Sequence, residues 1–382
     1  MSVGATPGHA AQDTSDHRAL RAHVAEFLSG LDPADLTFLD VCRAADGAFP
    51  IDVRDVLPPA WRGLPMEPAE VPLTVRQPEL SPVRAEWYYT PESVAALLPL
   101  LRGDILVVGG PTVAEAAAHA GVDTVLVDDS PWLDRRIDTS GLWFVRDQFL
   151  AAELRTAFDT VLLDPPWYFP IMTDWLSRAL GVVPIGGRVV VSLPGALTRP
   201  SAEADRAKLW KLAEPYGTLE LLDKHVEYET PLYERIALAA AGVPLTGVWR
   251  RADLLVVTKT AATPGVPRPV PRQPGEWLEF SVLDQTVSVR RSASGVGGAG
   301  SFRAVPGVDG FVLDTVSRRD ARLRDVDIWT SRNRVAGLVR PERTVAALAA
   351  LNEVTDTRAA FAVADHGDGA EVRRVLDWLG IV

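Results

Sequence analysis

A chain of 382 residues with 47% apolar content is long enough for two or three folding units and a sizeable core. Its net charge of -11 excludes a protein that coats nucleic acid non-specifically, because neutralising phosphates needs a dense basic surface, although a local basic groove stays compatible with it. No apolar run approaches the roughly 20 residues that cross a bilayer, and 1–16 has no basic-then-apolar leader pattern, so a cytoplasmic protein without membrane contact is expected. Cys42 is the only cysteine, which rules out an internal disulfide, and the six histidines lack metal-ligand spacing, so no metal is expected.

In chain order, Leu20, Val24, Phe27 and Leu28 recur at helical spacing, and Leu36, Leu39 and Val41 repeat the pattern, predicting a small helical unit over 1–60. Prolines crowd 58–82, and 61–83 reads as an extended connector. Over 84–261, short β-rich runs alternate with helical stretches, the pattern of a mainly parallel sheet covered on both faces. Five buried strands are predicted at 104–108, 124–127, 142–145, 160–163 and 188–193, with helices at 113–120, 171–180 and 202–214. Two more strands, 218–226 and 254–258, flank a helical 233–241. Five prolines make 262–275 a stiff linker, and 276–382 reads as a separate α+β unit. Its strands are expected at 276–290 and 302–316 around a Gly-rich loop at 295–300, and its helices at 341–352 and 371–379.

The strand at 160–163 runs directly into Asp164-Pro165-Pro166-Trp167, at a strand's carboxyl end, where open α/β sheets form their ligand crevice. Two prolines stiffen this loop, so the Asp164 carboxylate and the Pro165 carbonyl can accept both hydrogens of an amino group. Trp167 offers a flat surface for a purine or the stem of a lysine, or it is simply a packed tryptophan after a proline turn. After the first strand, Gly109-Gly110-Pro111 lets a ligand approach the backbone at a helix N-terminus, although glycine turns of this kind are commonplace. Asp128 or Asp129, ending the second strand, can accept from ribose hydroxyls or cap a turn. Asp147, ending the third, can accept from an adenine amino group or lie in a surface turn. Glu86-Trp87-Tyr88-Tyr89-Thr90-Pro91 places three aromatics before a helix capped by Thr90. These rings either seal the core or wall a pocket, with Tyr88 the candidate for the wall.

Together these pieces resemble the class I methyltransferases that include ribosomal-RNA adenine methyltransferases with a zinc knuckle and elongation-factor lysine methyltransferases. The resemblance rests on Trp87-Tyr88-Tyr89-Thr90, on Gly110-Pro111 and on Asp164 to Trp167, and it spans about 84–260. It implies a Rossmann-like sheet of seven strands with the last inserted antiparallel, S-adenosyl-L-methionine as donor, and an exocyclic or side-chain amine as acceptor. The cysteine-rich zinc modules of the ribosomal-RNA relatives are absent from this sequence. In the messenger-RNA adenine methyltransferases, which also carry a Trp-type loop, that loop precedes the donor-binding segment, the reverse of the order here.

N6 of adenine in RNA or DNA is the leading acceptor, because Trp167 gives a stacking surface and two fixed acceptors suit an amino group. A protein lysine is the alternative that the acidic composition favours, and a non-catalytic binding module is a third. In the C-terminal unit Arg318, Arg319, Arg322, Arg324, Arg332 and Arg334 lie near Trp329 in sequence, the only candidate nucleic-acid surface. Interleaved Asp320, Asp325 and Asp327 favour an ion-paired face instead. Oligomeric state is not legible in the sequence.

Overall fold

Runs such as Ile105-Leu106-Val107-Val108 and Thr160-Val161-Leu162-Leu163 carry no polar face, so they are stable only as central strands covered on both sides. The computed structural model describes residues 15–32, 36–65, 76–154, 157–263, 275–293, 295, 300–317, 320–366 and 369–381. They fall into two compact units, one within Met1–Glu70, Tyr88–Thr230 and Thr246–Arg272, the other within Val71–Trp87, Pro231–Leu245 and Gln273–Val382.

The first unit opens with α1 (Ser15–Ser29), α2 (Phe38–Ala44) and α3 (Pro50–Val56). A reciprocal capping box starts α2, with Thr37 Oγ1 accepting from the Asp40 amide and Asp40 Oδ2 from the Thr37 amide. Then come α4 (Pro91–Leu97), β1 (Ile105–Val108), α5 (Pro111–His119), β2 (Thr124–Val127), α6 (Leu133–Arg136) and β3 (Leu142–Val145). They are followed by β4 (Thr160–Leu163), α7 (Phe169–Val182), β5 (Arg188–Pro194), α8 (Ala202–Ala213) and β6 (Gly217–Glu227). Helix α9 (Leu232–Ala240) belongs to the second unit, and β7 (Arg251–Lys259) completes the first. As predicted, Thr90 caps α4, its hydroxyl accepting from the Ser93 amide, and Pro91 is the first helical residue.

The seven strands are ordered β3-β2-β1-β4-β5-β7-β6, with β7 antiparallel to both neighbours and the pairs from β3 to β5 all parallel. This is the Rossmann-like α/β sheet with an inserted antiparallel strand that the resemblance implied. One expectation fails: β3 is an edge strand, Leu142, Phe144 and Val145 are only half-buried, and Trp143 is 69% exposed. Its apolar composition reads like that of a central strand, but its place in the order leaves one side uncovered.

The second unit holds a five-stranded sheet, β10-β12-β11-β9-β8, built from β8 (Trp277–Val282), β9 (Gln285–Arg290), β10 (Phe302–Arg303), β11 (Ile328–Thr330) and β12 (Val335–Leu338). Helices α10 (Pro341–Leu351), α11 (Thr357–Ala364) and α12 (Gly369–Trp378) pack their apolar faces into its core. Two strand predictions need correction. The run 276–290 is a hairpin, because Val282 pairs with Gln285 across a two-residue turn in which Leu283 takes a φ of 55°. Of 302–316 only the first two residues pair as a strand, since Gly307, Gly310 and Phe311 all have positive φ and turn the chain repeatedly. Of the expected connector, 61–65 lies in the first unit, with Trp61 buried, and 76–83 lies in this second unit, where Glu79 and Val83 join its interior. Most of the linker and of the Gly-rich loop lies outside the described residues, as do Arg318 and Arg319.

Candidate functional site

The parallel register fixes where the strand ends fall. Leu163 stands opposite Val108 and Val191, Val108 opposite Val127, and Val127 opposite Val145, so all five strands reach one rim at the same level. Neighbouring strands lie about 4.8 Å apart. The residues that follow therefore form a row: Asp147 after β3, Asp128 and Asp129 after β2, the Gly109-Gly110-Pro111 turn after β1, and Asp164 after β4. Ser192, one position beyond Val191 in β5, extends the row past Asp164.

The glycine turn and the Asp164 loop are knitted together. The Asp164 amide donates to the Val108 carbonyl at 2.9 Å, and Gly109 has a φ of +74°. A Cβ on Gly109 would sit 2.6 Å from the Asp164 carbonyl oxygen, so only glycine allows this approach. Gly110 and Pro111 then open α5, and in its first turn the Thr112 hydroxyl is buried without a hydrogen bond.

Asp164 is half-buried, and its Oδ1 accepts two short hydrogen bonds, from Ser192 Oγ at 2.6 Å and from the Tyr228 phenol at 2.7 Å. Tyr228 follows β6, and its ring stacks on Tyr89 with centroids 4.7 Å apart. Tyr89 and Tyr228 also form an antiparallel bridge, which brings the segment before α4 alongside the end of β6. Burial pushes the Asp164 carboxyl up to about 6, while the hydroxyls of Ser192, Tyr228 and Tyr89 and the charge of Arg250 hold it from rising further. Burial, then the Asp164 charge, pushes both phenols well above 10, so they stay protonated as donors.

Within the loop Pro165 is buried, Pro166 is exposed and Trp167 is half-buried. The indole N–H makes a long 3.4 Å hydrogen bond to Ser192 Oγ. The Arg250 guanidinium lies 4.3 Å from the ring centroid, and Tyr228 meets the indole edge-on at 5.8 Å. One face of the expected stacking surface is thus already covered by a cation.

The outer carboxylates are partly used by their own turns. Asp128 Oδ1 accepts from the Ser130 amide and Asp147 Oδ1 from the Gln148 amide, each at 2.8 Å, and Asp128, Asp129 and Asp147 are all half-buried. Tyr88 is buried, its carbonyl accepting from the Glu229 amide, and it is Tyr89 that joins the Asp164 hydroxyl network. Sequence reasoning missed Ser192, Tyr228, Tyr89 and Arg250 as a group: Ser192 meets Asp164 only through the pairing of β5 with β4, and Tyr228 follows β6, the edge strand two places beyond β5, and reaches Asp164 through its side chain.

The N-terminal helices are tied to the same rim. Asp46, after α2, accepts from the Ala196 amide through its carboxylate and from the Leu197 amide through its carbonyl. A Cβ on Gly195 would collide with Asp46, so the loop that follows β5 is clamped just beyond Ser192. Glu227, which precedes Tyr228, is gripped by Arg43 and Arg251. At the opposite, amino end of the strands a shallow recess is lined by Arg102, Asp159 and Arg188, far from the strand ends that carry Asp164.

In the second unit two members of the arginine run, Arg322 and Arg332, form internal ion pairs, Arg334 lies over the Trp378 ring and Arg324 is exposed. Arg322 binds Asp314 and Asp320, Arg332 binds Glu79 and Asp284, and Arg303 reaches Asp327. Trp329 is buried and donates to Asn333, so it offers no stacking surface. No group of His, Cys, Asp and Glu side chains that could hold a metal ion occurs among the described residues, and no helix there is long and apolar enough to cross a membrane.

No protein-family profile and no curated protein matches this chain. Among solved structures, a variant of the branched-chain polyamine synthase of Thermus thermophilus, bound to N4-aminopropylspermidine and 5'-methylthioadenosine, is similar over 67% of this chain and 94% of its own. The sequence identity is 19% and the TM-score 0.50, a likeness of fold. An rRNA methylase from Streptococcus thermophilus matches over 44% of this chain and 95% of its own, with 13% identity and a TM-score of 0.31. The Thermus thermophilus 16S rRNA N2 G1207 methyltransferase, bound to AdoMet and guanosine, matches over 55% of this chain and 50% of its own, with 16% identity and a TM-score of 0.31.

Proposed function

We propose that the first unit is an S-adenosyl-L-methionine-dependent N-methyltransferase that acts on an amino group, N6 of adenine in RNA or DNA. The observation that carries this reading is the half-buried Asp164, on the rim beside a glycine turn and held by uncharged hydroxyls on one oxygen. Burial without a bound guanidinium keeps a carboxylate able to accept one more hydrogen bond.

The rim suits a cationic donor. Asp128, Asp129, Asp147 and Asp164 supply negative charge along one edge, and α5 begins in the same row with a buried hydroxyl, Thr112, that lacks a partner. Asp128 or Asp129 would hold the ribose hydroxyls, Asp147 the adenine amino group, and Gly109, Gly110 and Pro111 would line the backbone approach. When bound, S-adenosylmethionine supplies an electrophilic methyl carbon. Asp164 and the Pro165 carbonyl orient the acceptor N–H groups, Asp164 stabilises the positive charge growing on nitrogen, and it then takes the released proton.

Base strength favours adenine. A carboxylate that titrates at about 6 readily takes the proton of a methylated aromatic amine. An alkylammonium near 10 must lose its proton before it can attack, which costs about 4 pH units, on the order of 5 kcal/mol, with Asp164 as the base.

A second reading, alkylation of a polyamine or lysine amine, is favoured by the net charge of -11 and by the polyamine bound to the Thermus structure. Incubation with methyl-labelled S-adenosylmethionine and a panel of RNA, DNA, protein and spermidine separates the two. Label in N6-methyladenine is expected. Label only in spermidine or lysine selects the second reading, as does 5'-methylthioadenosine release from a decarboxylated donor. Failure to bind any such donor leaves a scaffold.

A further inference from the structure

The loop Asp164 to Trp167 does not stand unaided. Ser192 is fully buried within β5, paired in register with Leu254, so its hydroxyl is delivered by the sheet itself. Its single proton goes to Asp164 Oδ1 at 2.6 Å, and its oxygen receives the Trp167 N–H, so one hydroxyl ties both ends of the loop. Tyr228 is fixed from three sides: its ring stacks on Tyr89, its amide donates to the Arg250 carbonyl, and the preceding Glu227 is gripped by Arg43 and Arg251. Its phenol makes the second short bond to the same oxygen, Oδ1.

Resting on the reading of Asp164 as the group that receives the acceptor amine, we infer that Ser192 and Tyr228 are positioning residues which occupy Oδ1 together, lock the carboxylate's rotation and present Oδ2 to the acceptor. Two donors on one oxygen define the plane of the carboxylate, which a single donor does not. Both are neutral, so they stabilise its charge without cancelling it, whereas a guanidinium in their place would fill both oxygens. The titratable or charged groups that face the carboxylate are Tyr89, Tyr228 and Arg250, and each of the two phenols stays protonated.

The test is a titration of the Asp164 carboxyl carbon by NMR, assigned with Asp164→Asn, in the wild-type chain and in Ser192→Ala, Ser192→Thr, Tyr228→Phe and the Ser192→Ala/Tyr228→Phe double variant. The wild-type midpoint is expected near 6. Loss of either hydroxyl should move it upward by roughly one pH unit, the double loss further, while Ser192→Thr keeps the wild-type value. In methyl-transfer assays Ser192→Ala and Tyr228→Phe should lower kcat by about 10- to 100-fold with donor affinity unchanged, and move the acid limb the same way. A midpoint that stays put in both hydroxyl deletions overturns the inference, as does one that moves equally in Ser192→Thr. The titration is read on the protein itself, so a wild-type chain that methylates no amine sinks the proposed function, while an immobile midpoint in an active enzyme sinks only the clamp.

Discussion

Asp164 and Glu79 are both withdrawn from water, and burial raises both above the ordinary carboxylate range, but their surroundings differ in kind. Glu79 receives Ser331 Oγ at 2.6 Å on one oxygen and the Arg332 guanidinium at 3.1 and 3.2 Å on the other, so its charge is matched and its lone pairs are engaged. It staples the 76–83 segment to the small sheet, with the Thr286 hydroxyl on its backbone carbonyl. Asp164 has hydroxyls on one oxygen, and its nearest cation, Arg250, is stacked on Trp167. A buried acid given a guanidinium becomes a structural joint, and one given hydroxyls keeps a free valence at a cost in stability.

The largest expected effect comes from making Asp164 resemble a finished joint. In Asp164→Asn the side chain still accepts from Ser192 and Tyr228 but cannot take a proton, and methyl transfer should fall by about 10^3- to 10^4-fold. Stability should move the other way. Because the folded carboxyl titrates at about 6, above its ordinary value, its favourable contribution is present when protonated at low pH and lost as pH rises through 6. The variant should therefore exceed wild type by on the order of 3 kcal/mol at pH 8, and that advantage should vanish by pH 4. Melting curves at the two pH values read this directly, and an Asn variant with no pH-dependent gain would show that Asp164 is as well compensated as Glu79.

Next is Gly109→Ala, which attacks the backbone beneath Asp164. The new methyl would meet the Asp164 carbonyl at 2.6 Å in a left-handed conformation, so the loop must shift while Ser192 stays fixed in its strand. A displacement near 1 Å costs about 10^2-fold in kcat. Equal activity would mean that the turn and the loop yield independently. The counterpart in the second unit is Arg332→Ala, which strands Glu79. Arg332 is about a third exposed, so the loss should be about 2–3 kcal/mol, below the range for fully buried pairs, with donor affinity unchanged. Chemical denaturation with an added donor assay checks both halves of that expectation.

Which parts of this contrast could be read from the sequence follows from how local they are. The strands β1, β2, β4 and β5 were legible because a strand buried on both faces spells an unbroken apolar run, and Asp164 because it ends one of them. Ser192 was not, since within Val189 to Pro194 it looks like an ordinary strand residue and gains meaning only when β5 lies beside β4. Tyr228 lies 64 residues from Asp164, past a β-bulge between Leu222 and Val226, and nothing near it in sequence signals a ligand. Tyr88 and Tyr89 look equivalent in a row of aromatics, and only the bridge from Tyr89 to Tyr228 distinguishes them. In the second unit the interleaved charges did favour ion pairs for the arginines, but Arg332 found Glu79, about 250 residues away, a partner no local pattern could name.

The smallest expected effect is also the one that separates acceptors. Trp167→Ala removes a half-buried ring that carries Arg250 on one face, meets Tyr228 edge-on and packs against the apolar core of the sheet. If adenine stacks on that ring, the acceptor KM should rise by about 5- to 150-fold, matching roughly 1–3 kcal/mol per stacked base, while donor affinity stays constant. The guanidinium would also lose its seat, and since its charge helps hold the Asp164 carboxyl down, the acid limb of kcat should move to higher pH. Trp167→Phe keeps an aromatic face and should fall between the two. An alkylamine has no face to stack, so for such an acceptor the same variant should move the acid limb but leave KM close to wild type. The two parameters thus respond to different atoms, KM to the indole face and the acid limb to the cation above it, and measuring both in one variant tells a base from a polyamine.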